Sequence, residues 1–201
     1  MTLHPLIRRA AEGEFPAWSR AGEARRLHMA SVARLMGQWA ESRGLSSEDR
    51  SRWRAAGLLH DVLRDAAPEE LRSIVGPELA DLPGPLLHGP AAARLLEGEG
   101  VGDGPLLLSI AFHTLGHPDL DELGCALYAA DFLEPGRDHL SEVEAELRDR
   151  MVKDPEGVVL EVALTRVSQI VKRRRPLRSE SVRFWNRLTA TRALPSHRGT
   201  E

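Results

Sequence analysis

Four histidines and two aspartates that could do chemistry stand in order along the chain: His28, the adjacent pair His60 and Asp61, His88, His113 and Asp131. Most of them interrupt otherwise apolar stretches that read as helical faces. An imidazole or an ionised carboxylate is costly to bury unless it is paired, hydrogen-bonded or bound to a cation. Any one of these histidines, taken alone, reads as a hydrogen-bonded core residue, and an Asp after a His reads as facing solvent. The ordered set is what points to a metal site. Mixed imidazole and carboxylate donors suit ions such as iron or manganese, and the one cysteine, Cys125, leaves no thiolate set for softer metals.

The elements that must position these groups follow from apolar periodicity. From Trp18 to Trp39 the residues Leu27, Val32, Leu35, Met36 and Trp39 recur at threes and fours and predict one amphipathic helix, with His28 on or beside its stripe. Ser46 and Ser47 before Glu48 and Asp49 predict an N-cap for a second helix, whose face Trp53, Ala56, Gly57, His60 carries the His60-Asp61 pair. Pro90 fits the first turn of a helix running through Leu96 and puts His88 near its N-terminus. Leu106, Ile110 and His113 share a face, as do Leu123, Leu127, Ala130, Asp131 and Glu134 on the next segment. A polar helix from about Leu140 to Met151, a longer one opened by Pro155 and stopped by Pro176, and a short one around Phe184, Trp185 and Leu188 complete the pattern. With no alternating strand pattern and no internal repeat, the fold class is all-α.

A chain of 201 residues with 42% hydrophobic and 28% charged residues has the makeup of one water-soluble domain. Its apolar runs are far shorter than the ~20 residues of a membrane span, so no membrane partner is expected. A formal charge of −3 provides no general attraction to nucleic acid. The one dense basic run, Lys172 to Arg175, reads as a solvated helix end that suits the helix dipole, with RNA contact as the lesser alternative. A cytoplasmic setting is expected from the single cysteine and from an N-terminus carrying acidic residues where a secretory signal would be apolar. The sequence leaves homodimer formation open.

The ordered polar set resembles the signature of the HD superfamily, and GLLHDVLRD, LLHGPAAARLL and AFHTLGHPDLDELGCALYAADFLEPGR resemble its YqeK subfamily of bacterial proteins. The resemblance spans about Arg25 to Arg137, with a looser match in SVRFWNRL. It implies a single helical HD-domain bundle with a metal site in its core. Residues 1–17 would be an N-terminal helical extension, 18–140 the metal-dependent phosphohydrolase core, 141–194 helices completing the same domain, and 195–201 a frayed tail. It also implies symmetrical hydrolysis of dinucleoside polyphosphates, diadenosine tetraphosphate giving two ADP. His28, His60, Asp61 and Asp131 would hold one metal ion, and Asp61 would bridge to a second held by His88 and His113. Iron is the implied metal, with manganese or magnesium as alternatives.

Around that centre, Arg64 lies one helical turn after His60 and is expected to bind substrate phosphate. The subfamily more often has Lys there, and a solvated helix residue is the lesser alternative for Arg64. Glu134 and Arg137 would border the nucleotide, Arg137 as a phosphate ligand. Thr114, Gly116 and His117 follow His113 in a loop where they would meet the substrate, although His117 also reads as a surface residue. Asp61, Arg64 and Arg137 are the catalytic candidates. His4, His139 and His197 read as surface residues. Two other readings stay open: an HD phosphohydrolase acting on a nucleoside monophosphate or second messenger, and a non-catalytic nucleotide-binding module.

Overall fold

Ser46 accepts a hydrogen bond from the backbone N–H of Asp49 at 3.1 Å, the N-cap expected from the sequence. Asp103, Asp121 and Asp154 cap their helices in the same way, from the N–H groups of Leu106, Gly124 and Gly157. The computed structural model describes residues 3–79, 81–136 and 142–191, and within them the chain forms α-helices and no β-strand. The helices are α1 (Pro5–Ala11), α2 (Glu23–Ser42), α3 (Ser47–Leu59), α4 (Pro68–Ile74), α5 (His88–Gly98), α6 (Gly104–Phe112), α7 (Glu122–Leu133), α8 (Glu142–Arg150), α9 (Pro155–Lys172) and α10 (Ser179–Thr191). Arg137, His139, His197 and the expected tail lie outside the described residues.

Two apolar clusters share α2 and α3. One joins Val32, Met36 and Trp39 of α2 and Trp53 of α3 to Leu127 of α7, Val158 of α9 and Phe184 of α10. The other joins Met29 and Leu59 to Ile7 of α1, Ala91 and Leu96 of α5, and Leu106 and Ile110 of α6. The tryptophans Trp39 and Trp53 are buried core residues, as their apolar neighbours in the sequence indicate. Among the described residues no helix is long and apolar enough to cross a membrane.

Two details depart from the sequence reading. The helix expected from Trp18 is α2 and begins only at Glu23, because the segment before it is held in an irregular path: the Arg20 N–H bonds to the Val62 carbonyl, and the Gly22 N–H to the Asp65 carboxylate at 2.9 Å. Leu27 is also not on the buried stripe, being 67% exposed. It stands five positions before Val32, about 140° round the helix, while His28 falls beside the stripe as expected.

The α2–α3 crossing that brings His28 to His60 depends on Gly57. A Cβ there would sit 2.6 Å from the Ala33 Cα and 2.8 Å from its N, backbone atoms that cannot move without displacing α2. Ala ordinarily favours a helix over Gly by about 1 kcal/mol. Here the overpacking reverses the sign, and Gly57→Ala is expected to destabilise the fold by about 1–3 kcal/mol in denaturant unfolding. An unchanged or raised stability would show that the crossing is looser than drawn.

Candidate metal centre

Five helices deliver the six polar groups to one place. His28 comes from α2, and His60 is the C-cap of α3 with Asp61 in the turn just past it. His88 opens α5, His113 is the C-cap of α6, and Asp131 lies in the last turn of α7. His60, Asp61, His88 and His113 are all at most 4% exposed, and the His28 and Asp131 side chains are 13% exposed. The imidazoles form a row, His28–His60–His113–His88, with successive ring centroids 5.3, 4.8 and 5.0 Å apart.

Asp61 lies along that row with one oxygen toward each half. Its Oδ2 faces His60 Nε2 at 3.6 Å and His28 Nε2 at 3.9 Å, while its Oδ1 faces His88 Nε2 at 2.9 Å and His113 Nε2 at 3.4 Å. Asp131 Oδ1 closes the first half, 3.3 Å from His28 Nε2 and 3.8 Å from His60 Nε2.

The ring orientations are set locally. Nδ1 of His60 pairs with the Gly57 carbonyl, Nδ1 of His88 with the Pro85 carbonyl and Nδ1 of His113 with the Ile110 carbonyl, each at 2.8 or 2.9 Å. A carbonyl can only accept, so Nδ1 carries the proton and Nε2 of each neutral ring presents a lone pair to the centre. Burial pushes the His60 imidazole down to about 4 and lowers that of His88, which keeps both rings neutral at neutral pH. Burial alone would raise the Asp61 carboxyl, yet His60, His113 and His88 around it hold it well below the usual carboxylate range. Burial would likewise raise Asp131, and the nearby His28 ring and the charge of Arg166 hold it low.

This arrangement is unsatisfied without a cation. The Nε2 atoms of His28 and His60 are buried and make no hydrogen bond. Those of His88 and His113 approach to 3.1 Å, lone pair toward lone pair in the neutral tautomers. Two sets of three donors, His28–His60–Asp131 and His60–Asp61–His113, each have their ligand atoms within 4.8 Å of one another, so the residues present fit a metal ion, with His60 common to both sets.

Outer contacts hold the ligands. Glu134, 2% exposed, pairs its Oε2 with His28 Nδ1 at 3.2 Å and accepts from the Gly136 N–H through Oε1. That contact orients a ligand candidate, and Glu134 also stands in the lining of the cleft at the centre, where the sequence places it beside the nucleotide. Arg25 Nη1 donates to Asp61 Oδ2 at 2.8 Å. Arg166 Nη2 donates to Asp131 Oδ2 at 2.9 Å.

The centre opens into a cleft of about 780 Å³ lined by Arg25, Arg64, Pro85, Leu86, Thr114 and Glu134 beside five of the ligand candidates, the fully buried His60 lying behind them. Arg64 reaches it with no ion-pair partner among the described residues, and the Thr114 hydroxyl lies 3.0 Å from His113 Nε2. Gly116 and His117 do not line this cleft, contrary to their expected substrate contact. Gly116 takes φ +74° and gives its side-chain space to the Phe184 ring. His117 packs on Phe112 and accepts the Asp119 N–H in its own loop.

Sequence reasoning missed Arg25 and Arg166. Arg25 could have been found, since it precedes His28 by three positions on one helix face. Arg166 comes from a helix distant in the chain and leaves no local signal.

Fold and site together define an all-helical bundle whose core carries a histidine–aspartate centre able to hold metal. The chain belongs to the HD domain family, whose model matches residues 25–163. It is 25% identical over 150 residues to a symmetrical bis(5′-nucleosyl)-tetraphosphatase of Halalkalibacterium halodurans, covering 72% of this chain and 79% of that one. Proteins of the same name from Staphylococcus aureus and Bacillus subtilis are 33% and 32% identical, over 44% and 57% of this chain and 49% and 63% of theirs. The fold is also similar to the crystal structure of a predicted HD superfamily hydrolase involved in NAD metabolism from Clostridium acetobutylicum. There the TM-score is 0.73 and the identity 25%, covering 95% of this chain and 99% of the other.

Proposed function

We propose that this chain is a metal-dependent phosphohydrolase that cleaves dinucleoside polyphosphates symmetrically, converting diadenosine tetraphosphate and water into two ADP. The observation that carries the metal-dependent reading is the convergence of four imidazole Nε2 atoms on the two oxygens of Asp61. The choice of substrate is supported by the activity named for the three relatives. His28, His60, Asp61 and Asp131 would hold one ion, and Asp61, His88 and His113 a second, with iron the first candidate and manganese or magnesium the alternatives. Bound ions supply Lewis acidity toward a phosphoryl group and make water nucleophilic near neutral pH.

The chain's own residues supply the rest. Arg25 and Arg166 are committed to carboxylates, so Arg64 is the cation of the cleft left to meet phosphoryl oxygens, in paired hydrogen bonds its planar fork can make. The oxygen of water joins one central phosphorus, and the bridging oxygen leaves with the other half as ADP, a phosphate leaving group that needs little protonation near pH 7. Arg137 is the second proposed phosphate ligand.

A second reading keeps the centre and changes the nucleotide. It is favoured by the solved relative described as involved in NAD metabolism. Chromatography of products after incubation with diadenosine tetraphosphate, beside a panel of mononucleotides, separates the two. ADP as sole product is expected, whereas ATP plus AMP would refute the cleavage position and inertness toward the dinucleotide would refute the substrate.

Arg64→Ala is expected to lower kcat/KM by about 10- to 1000-fold, the loss of one or two charge-assisted contacts, while the metal content stays that of the unaltered protein. Loss of metal in that variant would instead make Arg64 a support of the centre.

A further inference from the structure

Arg166 belongs to α9, three residues past the stretch matched by the HD domain model, yet its guanidinium ends inside the centre. We infer that Arg166 is a positioning residue for the metal centre proposed above: it fixes the Asp131 carboxylate so that Oδ1 faces His28 and His60, and thereby sets the affinity of one ion and not the other.

Asp131 ends in a torsion with a broad, roughly two-fold profile, so an untethered carboxylate would turn readily. Arg166 Nη2 prevents this by donating to Oδ2 at 2.9 Å, which leaves Oδ1 at 3.3 Å from His28 Nε2 and 3.8 Å from His60 Nε2. The guanidinium is itself held fast. Nη2 also donates to the Tyr128 carbonyl at 3.1 Å and Nη1 to the Thr114 carbonyl at 3.2 Å, and its plane lies 4.5 Å from the Tyr128 ring centroid. With 15% of its side chain exposed, Arg166 is a half-buried strut between α9, α7 and the turn after α6, not a surface cation.

The other half of the centre has its own supports. The His88 and His113 rings are set by the carbonyls of Pro85 and Ile110, and Asp61 is paired with Arg25. The effect of Arg166 should therefore fall on the ion of His28, His60 and Asp131. Partners that orient metal ligands in this way typically change affinity by 10- to 100-fold.

The test is an equilibrium titration of metal-stripped protein with Mn²⁺, comparing the unaltered chain with Arg166→Gln and Arg166→Lys. Two ions are expected in the unaltered chain. In Arg166→Gln one of them should bind about 10- to 100-fold more weakly, with the other within about twofold. Arg166→Lys should recover part of the loss, since an ammonium keeps the charge without the fork. Thermal melting of the metal-free forms, run alongside, separates positioning from packing. Parallel weakening of both ions together with a lowered melting temperature would reduce Arg166 to a packing residue and overturn the inference, as would unchanged affinities for both. An unaltered chain that binds no Mn²⁺ would overturn the proposed centre itself, and this inference with it.

Discussion

Replacement of His60 by alanine is expected to empty the centre of metal and to lower turnover by at least about a thousandfold, the scale of losing several kcal/mol of metal assistance. His60 is the residue common to both sets of donors that could hold an ion. Its Nε2 lies 3.6 Å from Asp61 Oδ2 and 3.8 Å from Asp131 Oδ1. Its ring is fully buried and neutral, so it offers a lone pair at any pH above about 4. Elemental analysis of the purified variant together with a turnover assay checks the expectation. Retained metal with full activity would show that the histidines are core residues and that the centre is elsewhere.

Asp61→Asn is expected to have a comparable effect on turnover through a different loss. The amide keeps the volume of the carboxylate but gives up the negative charge that faces both halves of the row. It also leaves Arg25 with only the more distant Asp65 carboxylate, 3.9 Å away, so a cation less well balanced at the site would oppose the entry of metal ions. Both ions should weaken together, in contrast to the selective effect expected at Arg166. Because Asp61 is ionised well below the usual range, the loss should be as large at pH 6 as at pH 8. Turnover and metal content at both values provide the check, and activity within tenfold of the unaltered protein would remove Asp61 from its bridging place.

The ligand candidates were legible in the sequence for a physical reason. Buried helical faces tolerate few titratable groups, so His60 after Trp53 and Ala56, or Asp131 after Leu127 and Ala130, stand out against their apolar neighbours. The caps at Ser46 and the proline in the first turn of α5 were legible too, because they act within a few residues of themselves. What failed depended on distant partners. Leu27 looked like part of the α2 stripe because hydrophobicity was taken before helical angle, and Trp18 looked like part of α2 because the Asp65 carboxylate that diverts the chain there is remote in sequence. Asp61 was placed on the helix of His60, whereas it lies in the turn beyond, where the change of direction lets its two oxygens serve different histidines.

The same distinction runs through the cleft. Arg64 is legible because it follows His60 by one turn, whereas the bond from Glu134 to His28 spans 106 positions of chain and leaves no local signal. Gly116 is expected from the sequence to meet the substrate, but the space beside it belongs to Phe184, a residue of α10. Arg166 shows the limit most plainly. Its bond to Asp131 crosses 35 positions and nothing in the residues beside it marks it as more than a helix-surface arginine.

The most direct test of the central claim is anomalous diffraction from crystals grown with manganese. Two peaks are expected along the histidine row, one bounded by His28, His60 and Asp131 and one beside His88 and His113, with Asp61 reaching both. A protein that takes up manganese elsewhere, or leaves this row of histidines without a peak, would contradict it.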